Sequence, residues 1–404
     1  MAMTTWRVPT VVLVCGATVL AFNMGTRQTF GLFLEPMTLD LGIGRANFAL
    51  AIAVQNLLWG FLTPVFGVVA DRYGTARCLA LGGVTYVLGL LIMALGDSVF
   101  ALHVGAGILV GIAVAACGIP LVLSAVARAF PPEKRSVALG IAAAGGSLGQ
   151  FLLLPFTQIT MGWLGWVGAL IVLAALTALV VPLSTALAGK PAAVEPGGQS
   201  LGAAMTEARG HRGYQLLTAG FFVCGFHVSF MATHLPAYIN TFGLDPIVGA
   251  SALGIIGFFN IIGGLLAGYL GARFRKKYLL SGIYLARAVI ITLFLIGPKT
   301  ELTVWLFGAS FGLLWLSTVP LTSALVGDVF GARYLATLFG VVMFGHQIGA
   351  FLGAWLGGLS YDMTGSYDAI WLAAIALGVI AAILHWPIPD RPMAEERAAR
   401  QAAQ

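Results

Sequence analysis

Acidic residues are missing from the interior of every long apolar run in this chain. The sequence contains 15 Asp and Glu, and all fall in connecting loops, tails or run ends. Charge of either sign is scarce, at 9% of residues against 59% hydrophobic, and the mean hydropathy is +0.95. A soluble domain of 404 residues does not have this composition. Four cysteines, Cys15, Cys78, Cys117 and Cys224, stand at no metal-like spacing, so neither a zinc site nor a disulfide framework is expected. There is no H-E-x-x-H string and no P-loop. Gly145-Gly-Ser147-Leu-Gly149 and Gly308-Ala-Ser310-Phe-Gly312 both fit G-x-S-x-G. Both lie inside apolar runs, where small residues let helices approach, and not at the strand-to-helix turn that a nucleophile elbow requires. Neither an enzyme nor a cofactor is expected.

What the chain does have is a series of runs matched to the ~20 residues that cross a bilayer as a helix. An all-α membrane protein of twelve transmembrane helices follows, with spans near 9–34, 46–69, 77–96, 99–128, 136–159 and 163–187, then 214–242, 246–270, 277–297, 302–327, 335–360 and 369–388. The first run resembles a secretory signal but is too long for one and lacks a small-residue cleavage site, so it reads as span 1. Residues 1–188 and 214–404 form two six-helix bundles, and 189–213, rich in Pro, Gly and charge, forms a linker with a short surface helix.

Lys and Arg gather in alternate loops, as Arg72 with Arg77, Arg128 with Lys134 and Arg135, and Arg273 with Arg275, Lys276 and Lys277. The opposite loops hold chiefly Glu35, Asp40, Asp97, Asp245, Asp362 and Asp368. The positive-inside rule therefore puts both termini in the cytoplasm, and the net charge of +6 records topology without any nucleic-acid partner.

The second bundle repeats the first at an offset of 200 to 201 residues. Arg27-Gln-Thr-Phe30 returns as His227-Val-Ser-Phe230, Pro36 as Pro236, and Pro120-Leu121 as Pro320-Leu321. Ser147-Leu-Gly-Gln-Phe-Leu152 returns as Gln347-Ile-Gly-Ala-Phe-Leu352. The loop Gly67-Val-Val-Ala-Asp71-Arg72-Tyr-Gly74-Thr-Ala-Arg77 returns as Gly268 to Tyr278, with Ala272 in place of the acid and Arg273 in place of Arg72. Duplicated multi-helix units are the mark of transporters that hold their substrate between the repeats near the bilayer midplane.

The string G-x-x-A-D-R-x-G-x-x-R after the second of twelve spans resembles the signature loop of the major facilitator superfamily, and with the repeat the likeness covers the whole chain. Arg27-Gln-Thr-Phe30-Gly31, the Asp-Leu-Gly-x-x-Arg run at 40–45 and the helix from Phe339-Gly340 to Asp362 are similar to bacterial members of the monocarboxylate and oxalate/formate groups. The resemblance implies that Gly67, Asp71, Arg72, Gly74 and Arg77 form a conformational latch between the bundles. Asp328 and Arg333 are its candidate partners in the second half, with a plain surface pair as the alternative.

An ionisable group inside a span is costly, so each is a functional candidate. Arg27, in the outer half of span 1, is the candidate carboxylate ligand, because first spans line the central cavity in the family it resembles. Arg287, in span 9, is either a second ligand or a structural donor to the carbonyls of a neighbouring helix. His227, the repeat partner of Arg27, and His346, where the first half has Gly146, can bind an anion and carry a proton; His234 stands two turns farther out. Asn23, Gln55, Asn56, Asn260 and Gln347 supply neutral donors, some of which only tie helix to helix. Aromatic walls are expected from Phe30, Trp59, Phe226, Phe230, Trp315 and Tyr361.

Without a membrane carboxylate, a cation finds no counter-charge, which disfavours a proton-driven exporter of cationic drugs. A small anion with an apolar body fits better, moved by alternating access, with proton symport as one form of coupling. The chain departs from the groups it resembles in having Asn260 in span 8 in place of an Asp-Arg pair, and His346 in span 11 in place of Lys. A carrier of a neutral aromatic solute or vitamin, an exporter, and a non-transporting sensor remain as alternatives. The expected setting is a bacterial inner membrane, as a monomer.

Overall fold

The computed structural model describes residues 8–189, 200–331, 334–390 and 393. Helix accounts for nearly all of it, and no strand occurs among the described residues. Eleven segments there are long and apolar enough to cross a membrane. The longest, Glu133–Leu187, has 55 residues and would measure ~80 Å as one helix, far more than the ~30 Å of hydrocarbon. Gly165 interrupts it with φ 69° and ψ 177°, a backbone that side chains with a Cβ rarely adopt, and so divides it into spans 5 and 6. The other spans are 1, Pro9–Asp40; 2, Arg45–Tyr73; 3, Thr75–Leu95; 4, Val99–Ala129; 7, Arg212–Asn240; 8, Pro246–Gly271; 9, Lys276–Ile296; 10, Glu301–Phe330; 11, Leu335–Thr364; and 12, Asp368–His385. Twelve helices thus cross the membrane, and large apolar side chains such as Leu265, Ile296 and Phe100 point outward as a lipid-facing surface requires. The expected surface helix is Leu201–Gly210, its first turn capped by the Ser200 hydroxyl.

One boundary needs correction. Span 1 was expected to stop at residue 34, but it runs to Asp40 with only a one-residue interruption at Thr29. Glu35 is tolerated inside the helix because Asn240 donates to it at 2.6 Å and Arg45 lies 3.9 Å away. Arg27 consequently lies near the middle of span 1, just on the outer side of its midpoint.

Spans 4 and 10, repeat counterparts, both break. The first breaks at Cys117 and Gly118, and the second between Leu314 and Thr318. Each break lies just before a repeated proline, Pro120 or Pro320, whose ring lacks an N–H and crowds the carbonyl four residues back.

Spans 2 and 11, 5 and 8, and 1 and 7 pack across the seam between the bundles. At the end bearing Glu35, Asp40 and Asp362, the acidic end, the fit is tight. Gly31 leaves no room for a Cβ against the carbonyl of Ala232, nor does Gly358 against the backbone of Arg45. Toward the end bearing Arg72, Arg128 and Lys276, the basic end, the bundles part. Gly60 abuts Gln347, whereas Gly67, seven residues on and on the same helix face, has nothing near its Cβ position. Gly140, Gly264, Gly268 and Gly340 likewise continue the seam faces of spans 5, 8 and 11 into open space. The molecule is closed at the acidic end and open at the basic end.

Candidate substrate site

Among the described residues, Arg27 is the one guanidinium in the middle layer of the seam that is partly exposed. Its Nη2 donates to Asn56 Oδ1 and its Nη1 makes a long contact of 3.4 Å to Gln28 Oε1, while Cζ lies 4.7 Å from the centre of the Trp59 ring. Nε is buried with no acceptor. Each of these partners is neutral. An Arg offers five N–H groups in a planar fork that matches a carboxylate, and here the fork has only two side-chain oxygens to satisfy it.

The amides around Arg27 reach across the seam. Asn56 Nδ2 donates to Ser229 Oγ on span 7 at 3.0 Å. Gln28 Nε2 donates to Gln150 Oε1 at 3.2 Å, and Gln150 Nε2 to the Leu253 carbonyl on span 8 at 2.9 Å. A turn toward the basic end, Asn260 donates to Ser147 of span 5 at 2.9 Å and accepts from the Leu316 backbone N–H at 3.0 Å, inside the break of span 10.

The remaining sequence candidates divide by location. Asn23 is fully buried and donates to the carbonyls of Cys117 and Val114, at 2.9 and 3.4 Å, which the break of span 4 leaves free. Gln55 donates to Ala106 in the π-helical stretch His103–Leu109 of span 4. Arg287 is fully buried, and its Nη2 donates to the carbonyls of Leu314 and Trp315 at 2.6 Å each, at the break of span 10. Of its two expected readings, the structure displays the carbonyl contact.

His227 faces Ala374 of span 12 at 2.8 Å and lies away from Arg27, so the repeat does not make it a second wall of the same site. His346 is buried on span 11 beside Phe221, at 5.0 Å between ring centres, and its imidazole lies within hydrogen-bonding reach of the Cys224 thiol. Gln347 packs on Gly60 at the seam.

The expected aromatic wall does not assemble. Trp59 contacts Arg27, but Phe226, Phe230 and Trp315 are buried in the core of the second bundle and Phe30 in that of the first. They pack on their own bundles because the apolar area gained there exceeds what a hydrated cavity offers. Tyr361 belongs to the acidic-end closure. There the guanidinium of Arg45 lies 3.7 Å from the Tyr361 ring centre and donates to Tyr367 Oη at 2.8 Å. Both oxygens of Asp362 accept from the backbone N–H groups of Arg45 and Ala46, capping the start of span 2 from the other bundle, and His234 bridges Tyr367 and the Ala354 carbonyl. Arg45 was not a sequence candidate. Its place in the Asp-Leu-Gly-x-x-Arg run was the available signal.

At the basic end Gly74 turns the chain between spans 2 and 3 with φ 96°. Asp71, Arg72 and Arg77 are exposed, and no ion pair reaches Asp71 among the described residues, as an open end requires. Asp328 pairs with Lys276 at 2.6 Å; Arg333 lies outside the described residues. A cleft of about 490 Å³ between spans 7 and 11, lined by Arg209, Phe222 and Ile348 among others, opens from the second bundle.

Comparison with known proteins agrees with this architecture. The model of the Major Facilitator Superfamily matches residues 16–321. An uncharacterized MFS-type transporter of Bacillus subtilis, YcxA, is 26% identical over 399 residues, covering 94% of this chain and 95% of that protein. Monocarboxylate transporter 13 of Bos taurus is 25% identical over 381 residues, covering 91% of this chain and 87% of that protein. The crystal structure of the nucleoside transporter NupG superposes with a TM-score of 0.73 at 15% identity, covering 94% of this chain and 98% of that one.

Proposed function

Because this chain belongs to the Major Facilitator Superfamily and is a secondary transporter of that type, we propose that its cargo is a small monocarboxylate bound by Arg27. One observation carries this reading: a partly exposed mid-membrane guanidinium held by neutral amides over an indole, with no carboxylate among its hydrogen-bond or ion-pair partners. A cation in that layer calls for a mobile anion, since an uncompensated charge within a membrane is costly. The likeness to a monocarboxylate transporter supports the same substrate class. The neutral-solute alternative is weakened because Asn56, Gln28, Gln150 and Asn260 are already engaged with the protein.

The carrier sits in a bacterial inner membrane with its basic end and both termini in the cytoplasm, so the conformation described is inward-facing. Rocking of the bundles about the Arg27 layer exposes the site to each side in turn. If a proton accompanies the acid, His346 is the favoured carrier, because no backbone carbonyl holds its ring whereas His227 is turned onto the Ala374 carbonyl of span 12.

The test is uptake of labelled lactate and pyruvate into proteoliposomes with and without an inward proton gradient. Gradient-stimulated uptake is expected, with at least a tenfold loss in Arg27→Gln, on the order of the energy of one charge-assisted bond. Unchanged uptake in that variant, or transport of neutral solutes alone, would reject the anion reading.

A further inference from the structure

We propose that Arg27 also keeps the empty carrier closed at its acidic end, and that an arriving carboxylate releases the closure by taking the guanidinium from Asn56 and Gln28. The inference rests on the reading of Arg27 as the anion ligand.

Arg27 is where two chains of side-chain hydrogen bonds meet, and both cross from one bundle to the other. One runs from Nη2 to Asn56 Oδ1 and from Asn56 Nδ2 to Ser229 on span 7. The other runs from Nη1 to Gln28 Oε1, from Gln28 Nε2 to Gln150 Oε1, and from Gln150 Nε2 to the Leu253 carbonyl on span 8. In each chain the amide oxygen faces the guanidinium and the amide nitrogen faces onward, so the positive charge fixes which way the amide points. That orientation is what presents Asn56 Nδ2 to Ser229 and Gln28 Nε2 to Gln150.

Bidentate engagement of a guanidinium by a carboxylate uses Nη1 together with Nη2, or one of them with Nε. Each terminal nitrogen now gives one of its two N–H groups to an amide, and a carboxylate that turns the fork toward itself draws those N–H groups off the amides. As a charged acceptor the carboxylate makes shorter, stronger bonds than a neutral amide oxygen and displaces one or both. Asn56 and Gln28 then lose the group that orients them, and both links weaken together. Because the bundles are sealed on the acidic side of this layer and parted on the other, losing the links favours separation at the acidic end. Ser229 and Gln150 are positioning residues here, and neither contacts Arg27.

The readout is maleimide reactivity of Ala237→Cys in the purified full-length protein. Ala237 is 1% exposed and packs with the first bundle's core at the acidic end, so a thiol there reacts only when that end opens. With no acid present, Ser229→Ala and Gln150→Leu should raise the labelling rate severalfold, and Ser229→Thr, which keeps the hydroxyl, should restore the slow rate. Lactate should accelerate labelling in the otherwise unaltered protein and add little in either variant. Labelling at the unaltered rate in both variants, in protein that still shows Arg27-dependent lactate uptake, overturns the release mechanism and leaves the anion reading intact. Faster labelling in the variants with no effect of lactate at any concentration overturns release by a carboxylate and, with absent uptake, the anion reading also.

Discussion

The two halves of this transporter solve one backbone problem with different side chains. In the first half the break in span 4 leaves carbonyls that neutral Asn23 of span 1 satisfies. In the second half the break in span 10 leaves carbonyls that Arg287 of span 9 satisfies, a charged donor from a different helix. The repeated prolines preserve the break, and the rule that no backbone acceptor goes unpaired within a membrane preserves the need for a donor. The donor's identity is free to drift. The two buried-layer arginines thus differ in partners: Arg287 reaches backbone carbonyls through Nη2 and leaves Nε and Nη1 unpaired, whereas Arg27 meets side chains that span the seam.

The same divergence recurs at the helix starts and in the loops. Span 8 is capped by its own Asp245, which accepts from Ile247 N–H at 2.9 Å, while span 2 is capped across the seam by Asp362. Thr75 and Arg128 meet at 2.9 Å in the first half, and their counterparts Lys276 and Asp328 at 2.6 Å in the second.

The most forceful way to break the comparison is to remove both donors. Arg287→Met should cost about 2–6 kcal/mol, because two buried carbonyls lose their partner, and Asn23→Ala about 1–3 kcal/mol, one of its two bonds being long. Thermal unfolding in detergent would measure the difference; equal losses would show that the charge adds nothing. Next in size, Asp362→Ala should cost about 1–2 kcal/mol and shift the population toward opening at the acidic end, whereas Asp245→Ala should cost about 1 kcal/mol with no change in that population. Spin-label distances across the acidic end distinguish the two, and identical distance distributions would contradict an across-seam role for Asp362.

The smallest effect is expected at the exposed basic end. Asp390 accepts from Arg275 at 2.9 and 2.5 Å, and these bonds, with Lys277 nearby, hold its carboxyl below the usual carboxylate range. A depressed carboxylate stabilises the fold above its unfolded pKa, and that contribution disappears as acid titrates it through the lowered folded value. Asp390→Asn should therefore differ slightly from the unaltered protein at neutral pH and converge with it in acid. A difference that grows on acidification would refute the assignment.

Much of this was legible in the chain itself. Glu35 and Pro36 misplaced the end of span 1 because hydropathy cannot register a carboxylate hydrogen-bonded by Asn240, 205 residues away, and near the guanidinium of Arg45. Phe230 and Trp315 read as cavity walls because an aromatic on an inner span looks the same whether it faces the seam or its own bundle. The prolines at 120 and 320 were visible as a repeat, but their consequence was not, since the donors that satisfy the breaks lie on other helices.

Twelve spans, their duplication, the segregation of charge to opposite ends and the confinement of acid to the span ends are properties of local composition and of a 200-residue period, and the amino-acid order alone determined them. Which end is closed, which cation meets an open layer and which serves a broken helix are decided by contacts between residues 27 to 317 positions apart, and only packing of helix on helix brings these together. The physical reason is that a bilayer selects apolar segments one at a time, while hydrogen bonds within it must be satisfied by whatever partner the neighbouring helix presents.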